Sequence, residues 1–555
     1  MHFDPITLEV LRNALQSVAE EMGATLTRTA LSPNIKDRRD CSTAIYTTGG
    51  NLVAQAEHIP LHLGLMPTVV KEVLKTIPLK SMAPGDAVII NDPYVSGSHL
   101  PDVCLISPVF AGNMPLAIVA NLAHHVDVGG SVPGSMSTTC TEIFQEGMRI
   151  PPVKLSRSGQ INRDLLKVLA HNVRTSDEFY GDIQAQLSAN QVGVKRLQEL
   201  ARKTGSATLI QYMHEIINYA ERRIRRAIAE IPNGTYRFTD YLEGDGIIDE
   251  QINITAAVQV ENDSLKVDFT GTCPQVKGPV NATRGVTLAC VYFAVKAVAD
   301  PDLPASEGIA RAVDVITPPG TLVNPLYPAP VAHANINTAQ RITDVVLGAL
   351  AQAVPHQVTA AGTGSMSNFT IGGRDWRGNF YSYVETYGGG QGAMSDQDGM
   401  DGVHVNMTNT RNTPVEVIEI NYPLLVEKYG LVPDSGGPGK YRGGCGIVRE
   451  ITVLEDATVS VSTERNTLGP WGLQGGRPGR TSRCYIKLPG GTKQIMPGKF
   501  TREVPAGTTV TLETAGGGGF GHPHNRSPDA VRRDVLDGLV SREAAERDYG
   551  GSGLS

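Results

Sequence analysis

His99 and Asp102 stand three residues apart in SGSHLPD, and His124, His125 and Asp127 follow in NLAHHVD. Imidazole and carboxylate groups offer lone pairs, and a catalytic divalent cation needs several of them on rigid supports, with one position left open. A mixed nitrogen and oxygen set suits zinc, manganese or iron better than calcium or magnesium, which favour oxygen. The same residue types also cap loops or bond to backbone, so spacing alone leaves both readings open.

The elements that must position these groups are short and apolar. AVIIN (87–91) and PLAIVAN (115–121) are branched runs bounded by turn signals and are predicted as buried strands, each followed by one cluster. Pro101 stiffens the loop between His99 and Asp102. His124 and His125 are adjacent, so if the strand continues they point to opposite faces, which makes His125 a structural or outer residue. Two further patches carry titratable groups. NIKDRRDCS holds Asp37 and Asp40 among three basic residues, a pattern that reads first as a solvated ion-pair cluster. AEHIPLHLG holds Glu57, His58 and His62, and His58 is a candidate proton shuttle near neutral pH.

Around these patches the pattern is mixed α+β in several layers. Asp4-Pro5 opens an amphipathic helix with Leu8, Leu11, Leu15, Val18, Met22 and Leu26 on one stripe. CSTAIYTT-GG-NLVAQAEH is predicted as a hairpin. Thr175 and Glu178 form a capping-box pattern before two helical stretches that run to about Ile231, the second with ERRIRR as its solvated face. Residues 234–271 alternate as antiparallel strands, and TLACVYFAVKAVA and RITDVVLGALAQAV are predicted helices. From about 403 to 520, short strands and glycine turns predict a β-sandwich-like part, and Ser527 and Ser541 cap two short C-terminal helices. The proline-rich TPPGTLVNPLYPAPV suggests a boundary near 325, and with the C-terminal helices and tail set apart the chain divides into 1–325, 326–525 and 526–555.

Composition limits the function classes. Of 555 residues, 41% are hydrophobic and 19% charged, which describes a globular chain. A net charge of −7 provides no basic face for nucleic acid. No apolar run reaches membrane-spanning length, and MHFDPITLEV lacks the pattern of a secretory signal. Seven scattered cysteines without a CxxC pair fit a reducing cytoplasm. GPGKYRGG, YGGGQG and AGGGGFG lack the order of a phosphate loop and read as tight turns, or as backbone lying close to a ligand.

The segments SPNIKDRRDCS, LVAQAEHIPLHLG, PGDAVIINDPYVSGSHLPDV, NLAHHVDVGG and DGLVSREAAERDYG resemble the B-type subunit of the hydantoinase/oxoprolinase family over nearly the whole chain. The resemblance implies a hetero-oligomer with an A-type subunit that uses ATP and Mg. Members open cyclic amides (hydantoins, 5-oxoproline, lactams), while relatives carboxylate ketones. It also implies a metal held by His99, Asp102 and His124 with Asp40 as the upstream acid; Asp92, His125, Asp127 and His58 are candidates to surround and orient those ligands. The expected chemistry has the partner phosphorylate the amide oxygen, after which water activated at the metal attacks, with His58 or Glu57 moving the proton. Two rivals stay open: a ketone carboxylase subunit, and a non-catalytic subunit whose metal only staples loops. The chain is shorter than the carboxylating relatives, and its GSGLS tail does not resemble the family's ending.

Overall fold

The computed structural model describes residues 3–56 and 58–550. Glu57 and the GSGLS tail therefore lie outside the described residues. The N-terminal layer is a seven-stranded antiparallel sheet with the order β2-β1-β5-β4-β3-β6-β7. Its strands are β1 (Cys41–Tyr46), β2 (Leu52–Ala56), β3 (Ala87–Ile90), β4 (Asp102–Ala111), β5 (Met114–His124), β6 (Val153–Arg157) and β7 (Gln160–Ile161). Helices α1 (Pro5–Thr29), α2 (Pro33–Lys36), α3 (Pro60–Thr76), α4 (Pro93–Ser96), α5 (Arg163–His171), α6 (Ser176–Thr204) and α7 (Ser206–Ile228) accompany it.

Helices cover both faces of this sheet, which is why β5 is continuously apolar from Leu116 to Ala120. Leu15, Met22 and Leu197 pack with Val109, Ala117 and Val119 on one side. Met66, Val69 and Val73 of α3 pack with Val88, Ile106 and Ile118 on the other. Asp4 caps α1 by accepting from Thr7 N, as its pattern predicts. The capping box at Thr175 does not form: Thr175 sits at the N-cap, but its side chain makes no cap bond. On α7 the stripe from Leu209 to Ile228 is buried as read from its spacing.

A second sheet, in the order β11-β10-β9-β8, is built from β8 (Gly234–Glu243), β9 (Gln251–Glu261), β10 (Ser264–Asp268) and β11 (Val313–Ile316). The parallel β10–β11 pair is a strand that the alternation pattern does not reveal. Helices α8 (Arg284–Ala299), α9 (Gly308–Ala312) and α10 (Ala339–Leu350) go with this sheet. A single apolar cluster joins Val286, Ala289 and Val323 to Ile342, Val345 and Val346, so packing is continuous across residue 325.

The β-sandwich expectation holds, with an earlier start. Strands β12 (Asn368–Arg374) and β13 (Phe380–Thr386), then α11 (Val415–Asn421), precede β14 (Leu424–Leu431), β15 (Ile447–Val453), β16 (Ala457–Ser462), β17 (Arg483–Lys487), β18 (Lys493–Met496), β19 (Lys499–Val504) and β20 (Thr509–Glu513). The sheets β13-β12-β16-β19 and β14-β15-β20-β17-β18 enclose Phe369, Ile371, Ile451, Val459 and Leu512. Ser527 and Ser541 cap α12 (Pro528–Leu536) and α13 (Arg542–Tyr549) through Ala530 N and Ala544 N.

The glycine-rich stretches are mainly neither turns nor ligand loops. They run side by side outside the sheets, bonded through backbone: Gly444 N donates to Gln391 O (2.8 Å), Gly517 N to Gly444 O (2.9 Å) and Gly437 N to Gly517 O (2.7 Å). A Cβ on Gly517 would lie 1.9 Å from Gln391 O. Glycine is needed there because another chain segment occupies the space of a side chain.

Candidate metal centre

Asp102 opens β4 and His124 closes β5, and the antiparallel register sets them directly opposite each other. The β4–β5 hairpin starts from Ala111 paired with Met114, and a bulge between Val109 and Phe110 shifts the register by one residue. Without that bulge Asp102 would oppose Ala123, whose side chain points to the other face, so the bulge makes this pairing. His99 arrives from the loop after α4, where Gly97 adopts a left-handed φ of 82° and its carbonyl accepts from Thr283 Oγ1. Asp102 N donates back to His99 O (3.1 Å) and His125 N to Pro101 O (2.8 Å), which ties the loop to the sheet end.

His99, Asp102 and His124 are all buried, and each offers one ligand atom within 4.8 Å of the other two. His99 Nε2 lies 3.4 Å from Asp102 Oδ2, and the two imidazole rings are 4.9 Å apart. His99 Nδ1 bonds to Ala332 O (2.8 Å), which places the proton on Nδ1 and leaves the Nε2 lone pair, buried and without a hydrogen-bond partner, for a Lewis acid. Asp102 Oδ2 accepts from Ser98 Oγ and from Asn335 Nδ2 (3.1 Å). Asn34 Nδ2 donates to His124 O (2.7 Å) and lies 3.0 Å from His124 Nδ1.

Electrostatics follow from burial and proximity. Burial opposes charge on Asp102, yet the imidazoles of His99, His62 and His124 hold its carboxyl well below the usual range. Burial also opposes charge on His99, but Asp102 and the bond to Ala332 O raise its pKa. His124 is pushed down to about 3 by burial and by the neighbouring His99.

Asp40 lines the same cavity, together with Arg38, His62 and Asn335, and its carbonyl accepts from His124 N (3.0 Å). Its carboxylate stands outside the three-residue group, 4.0 Å from Arg38 Nη2, and burial raises its pKa. Asp37 does not line the cavity. The NIKDRRDCS patch is therefore not simply a solvated ion cluster: Arg38 is buried and donates to Asn34 Oδ1, Val384 O (2.7 Å) and Thr386 Oγ1 (2.8 Å).

The remaining expected residues disperse. His58 is half-buried against α1, where a Cβ on Gly23 would come within 3.0 Å of its Nε2, and it does not line the cavity. His62, in the first turn of α3, does: its Nδ1 is 2.9 Å from Ser42 Oγ and burial lowers its pKa. His125 turns away as alternation predicts, to Gln186 Oε1 (3.1 Å) and the Phe179 ring. Asp127 gathers Gly129 N, Gly134 N and Arg174, and Asp92 caps α4. Asn335 and Ala332 carry no signal in the sequence, because 233 residues separate each of them from the side chain it bonds.

The Hydantoinase B/oxoprolinase family matches residues 4–523. The chain belongs to this family. A Pseudomonas sp. relative, provisionally named as the B component of a D-/L-hydantoinase, is 34% identical, with 99% of this chain and 95% of that protein covered. Arabidopsis thaliana 5-oxoprolinase 1 is 36% identical over 93% of this chain, which spans 42% of that longer protein. The crystal structure of the ATP-dependent caprolactamase from Pseudomonas jessenii superposes with a TM-score of 0.91 at 31% identity, covering 99% of this chain and 96% of that one. A nucleotide-free acetone carboxylase structure has the same fold, with a TM-score of 0.91 at 20% identity over 99% of this chain and 79% of that one. Among the described residues of this family member, no helix is long and apolar enough to cross a membrane.

Proposed function

We propose that this chain is the B-type subunit of a cytoplasmic, ATP-dependent cyclic-amide hydrolase, and that His99, Asp102 and His124, with Asp40 beside them, hold a divalent transition metal (zinc, manganese or iron). The observation that carries this reading is the convergence of two imidazoles and a carboxylate, one from a loop and two from paired strand ends, with a bare Nε2 lone pair, on one buried cavity. The donor set fits zinc and its neighbours. Bound there, the cation supplies Lewis acidity and makes solvent more acidic.

The other residues supply position and proton handling. Ala332 O and Asn335 Nδ2 orient two of the ligands, and Asn34 secures the third. His62 takes the proton-accepting role that spacing alone suggests for His58, because His62 faces the cavity and burial favours its neutral form. ATP chemistry and its Mg belong to an A-type partner, which phosphorylates the amide oxygen and so overcomes the resonance that makes an amide a poor electrophile. All seven cysteines are free thiols, in keeping with a reducing compartment.

The cavity holds about 30 Å³ at solvent-centre positions, room for one or two waters. Pockets for small organic molecules are roughly ten times larger. The test is turnover of a panel of hydantoins and lactams with ATP, with and without the A-type partner. Ring opening that needs both chains supports the reading, and bicarbonate incorporation into a ketone replaces it with the carboxylase.

A further inference from the structure

One short segment far along the chain grips both ends of the HxxD pair. Ala332 O accepts from His99 Nδ1 (2.8 Å), and three residues later Asn335 Nδ2 donates to Asp102 Oδ2 (3.1 Å) and to Ser98 Oγ (3.1 Å). The segment is itself pinned, since buried Glu146 Oε1 accepts from Val331 N (2.7 Å) and Ala332 N (2.8 Å). Asn335 lies in a π-helical turn, Ala334–Thr338, that leads into α10. Such turns are rare and recur at functional sites.

The orientation of the Asn335 amide is decided by its partners. Exchanging its oxygen and nitrogen would set the oxygen against the Asp102 carboxylate, so the nitrogen faces Asp102. This leaves Asn335 Oδ1 buried, without a partner, in a residue of the cavity wall. A bare amide oxygen in a buried cavity is unfavourable unless an occupant donates to it.

We infer that Asn335 is a positioning residue of the cation site: its amide nitrogen fixes Asp102, and its Oδ1 accepts a hydrogen bond from the solvent molecule that shares the cavity. This rests on the reading of His99, Asp102 and His124 as a cation site. Asn335 supplies the polarity match that lets the carboxylate stay charged and correctly turned in a buried place.

The test titrates full-length wild type and Asn335→Asp, both stripped by chelator, with Zn²⁺ and Co²⁺ by calorimetry, and records the visible spectrum of the Co²⁺ forms. Asn335→Asp keeps the shape and removes the donor; Asn335→Ser replaces it if the first variant does not fold. The expected result is cation affinity reduced about 10- to 100-fold, with a changed Co²⁺ band and an unchanged circular dichroism spectrum. Affinity within twofold of wild type together with an identical Co²⁺ band overturns the inference while leaving the site intact. A wild type that binds neither cation removes the site, and this inference with it.

Discussion

Asp102 and His124 face each other as paired residues at one end of two neighbouring antiparallel strands, and a single bulge in the β4–β5 hairpin makes that pairing. Two of the three candidate ligands are thus fixed by sheet register, and only His99 depends on a loop. A site built this way keeps its geometry before any cation arrives.

Replacing His99 with alanine separates a catalytic site from a structural staple. The expected outcome is a folded chain that still joins its partner but has lost turnover by more than about 100-fold, beyond the range typical of outer residues around a metal. Steady-state assays normalised to folded protein by circular dichroism make the comparison. Turnover that merely follows the folded fraction supports the staple.

His62→Ala tests which histidine handles protons. Losing a general base costs typically about 10²- to 10⁴-fold in rate, so this variant should lose kcat on that scale and keep its cation content. His58→Ala should stay within a few-fold of wild type, since His58 does not line the cavity. The reverse ranking of the two kcat values would return the role to His58.

His333 supplies a pH dependence. Burial, with help from the charges of His99 and Lys499, pushes its pKa down to about 3. Between about 6.5 and 3 the unfolded chain binds a proton that the folded chain does not, so this group's contribution falls as pH falls through that window. The slope is at most about 1.4 kcal/mol per pH unit. Denaturant midpoints at pH 7, 6 and 5 should decline less steeply in His333→Gln than in wild type; parallel lines for the two proteins would refute it.

The glycine segments predict a sharp positional contrast. Gly517→Ala places a methyl group 1.9 Å from Gln391 O and should destabilise by about 3 kcal/mol or more, because backbone on both sides must move. Gly490→Ala meets nothing within 4 Å and carries only its left-handed φ of 69°, so about 1–2 kcal/mol is expected. Thermal melts of the two variants check the order.

Much of the fold was legible where one element determines its own pattern. The stripe of α7, the Asp4 and Ser527 caps, and the alternation of β8 all appear in local spacing. DVCLISPVFA was harder: it is buried on both faces, shows no alternation, and so does not announce itself as β4. The glycine segments misled because glycine signals turns far more often than backbone contact between distant strands. At the site, His99, Asp102 and His124 stood out by residue type, and their convergence could be inferred but not their register. Asn335 and Ala332 were invisible, since nothing local to HANINT says that it folds against HLPD.

The measurement that bears most directly on the whole account is elemental analysis of the purified chain, paired with the same analysis of Asp102→Asn and His124→Ala. The account predicts close to one equivalent of zinc, manganese or iron in wild type, far less in both variants, and loss of ATP-dependent ring opening in parallel. Wild-type protein without a bound divalent cation that opens rings at full rate with its partner would contradict it.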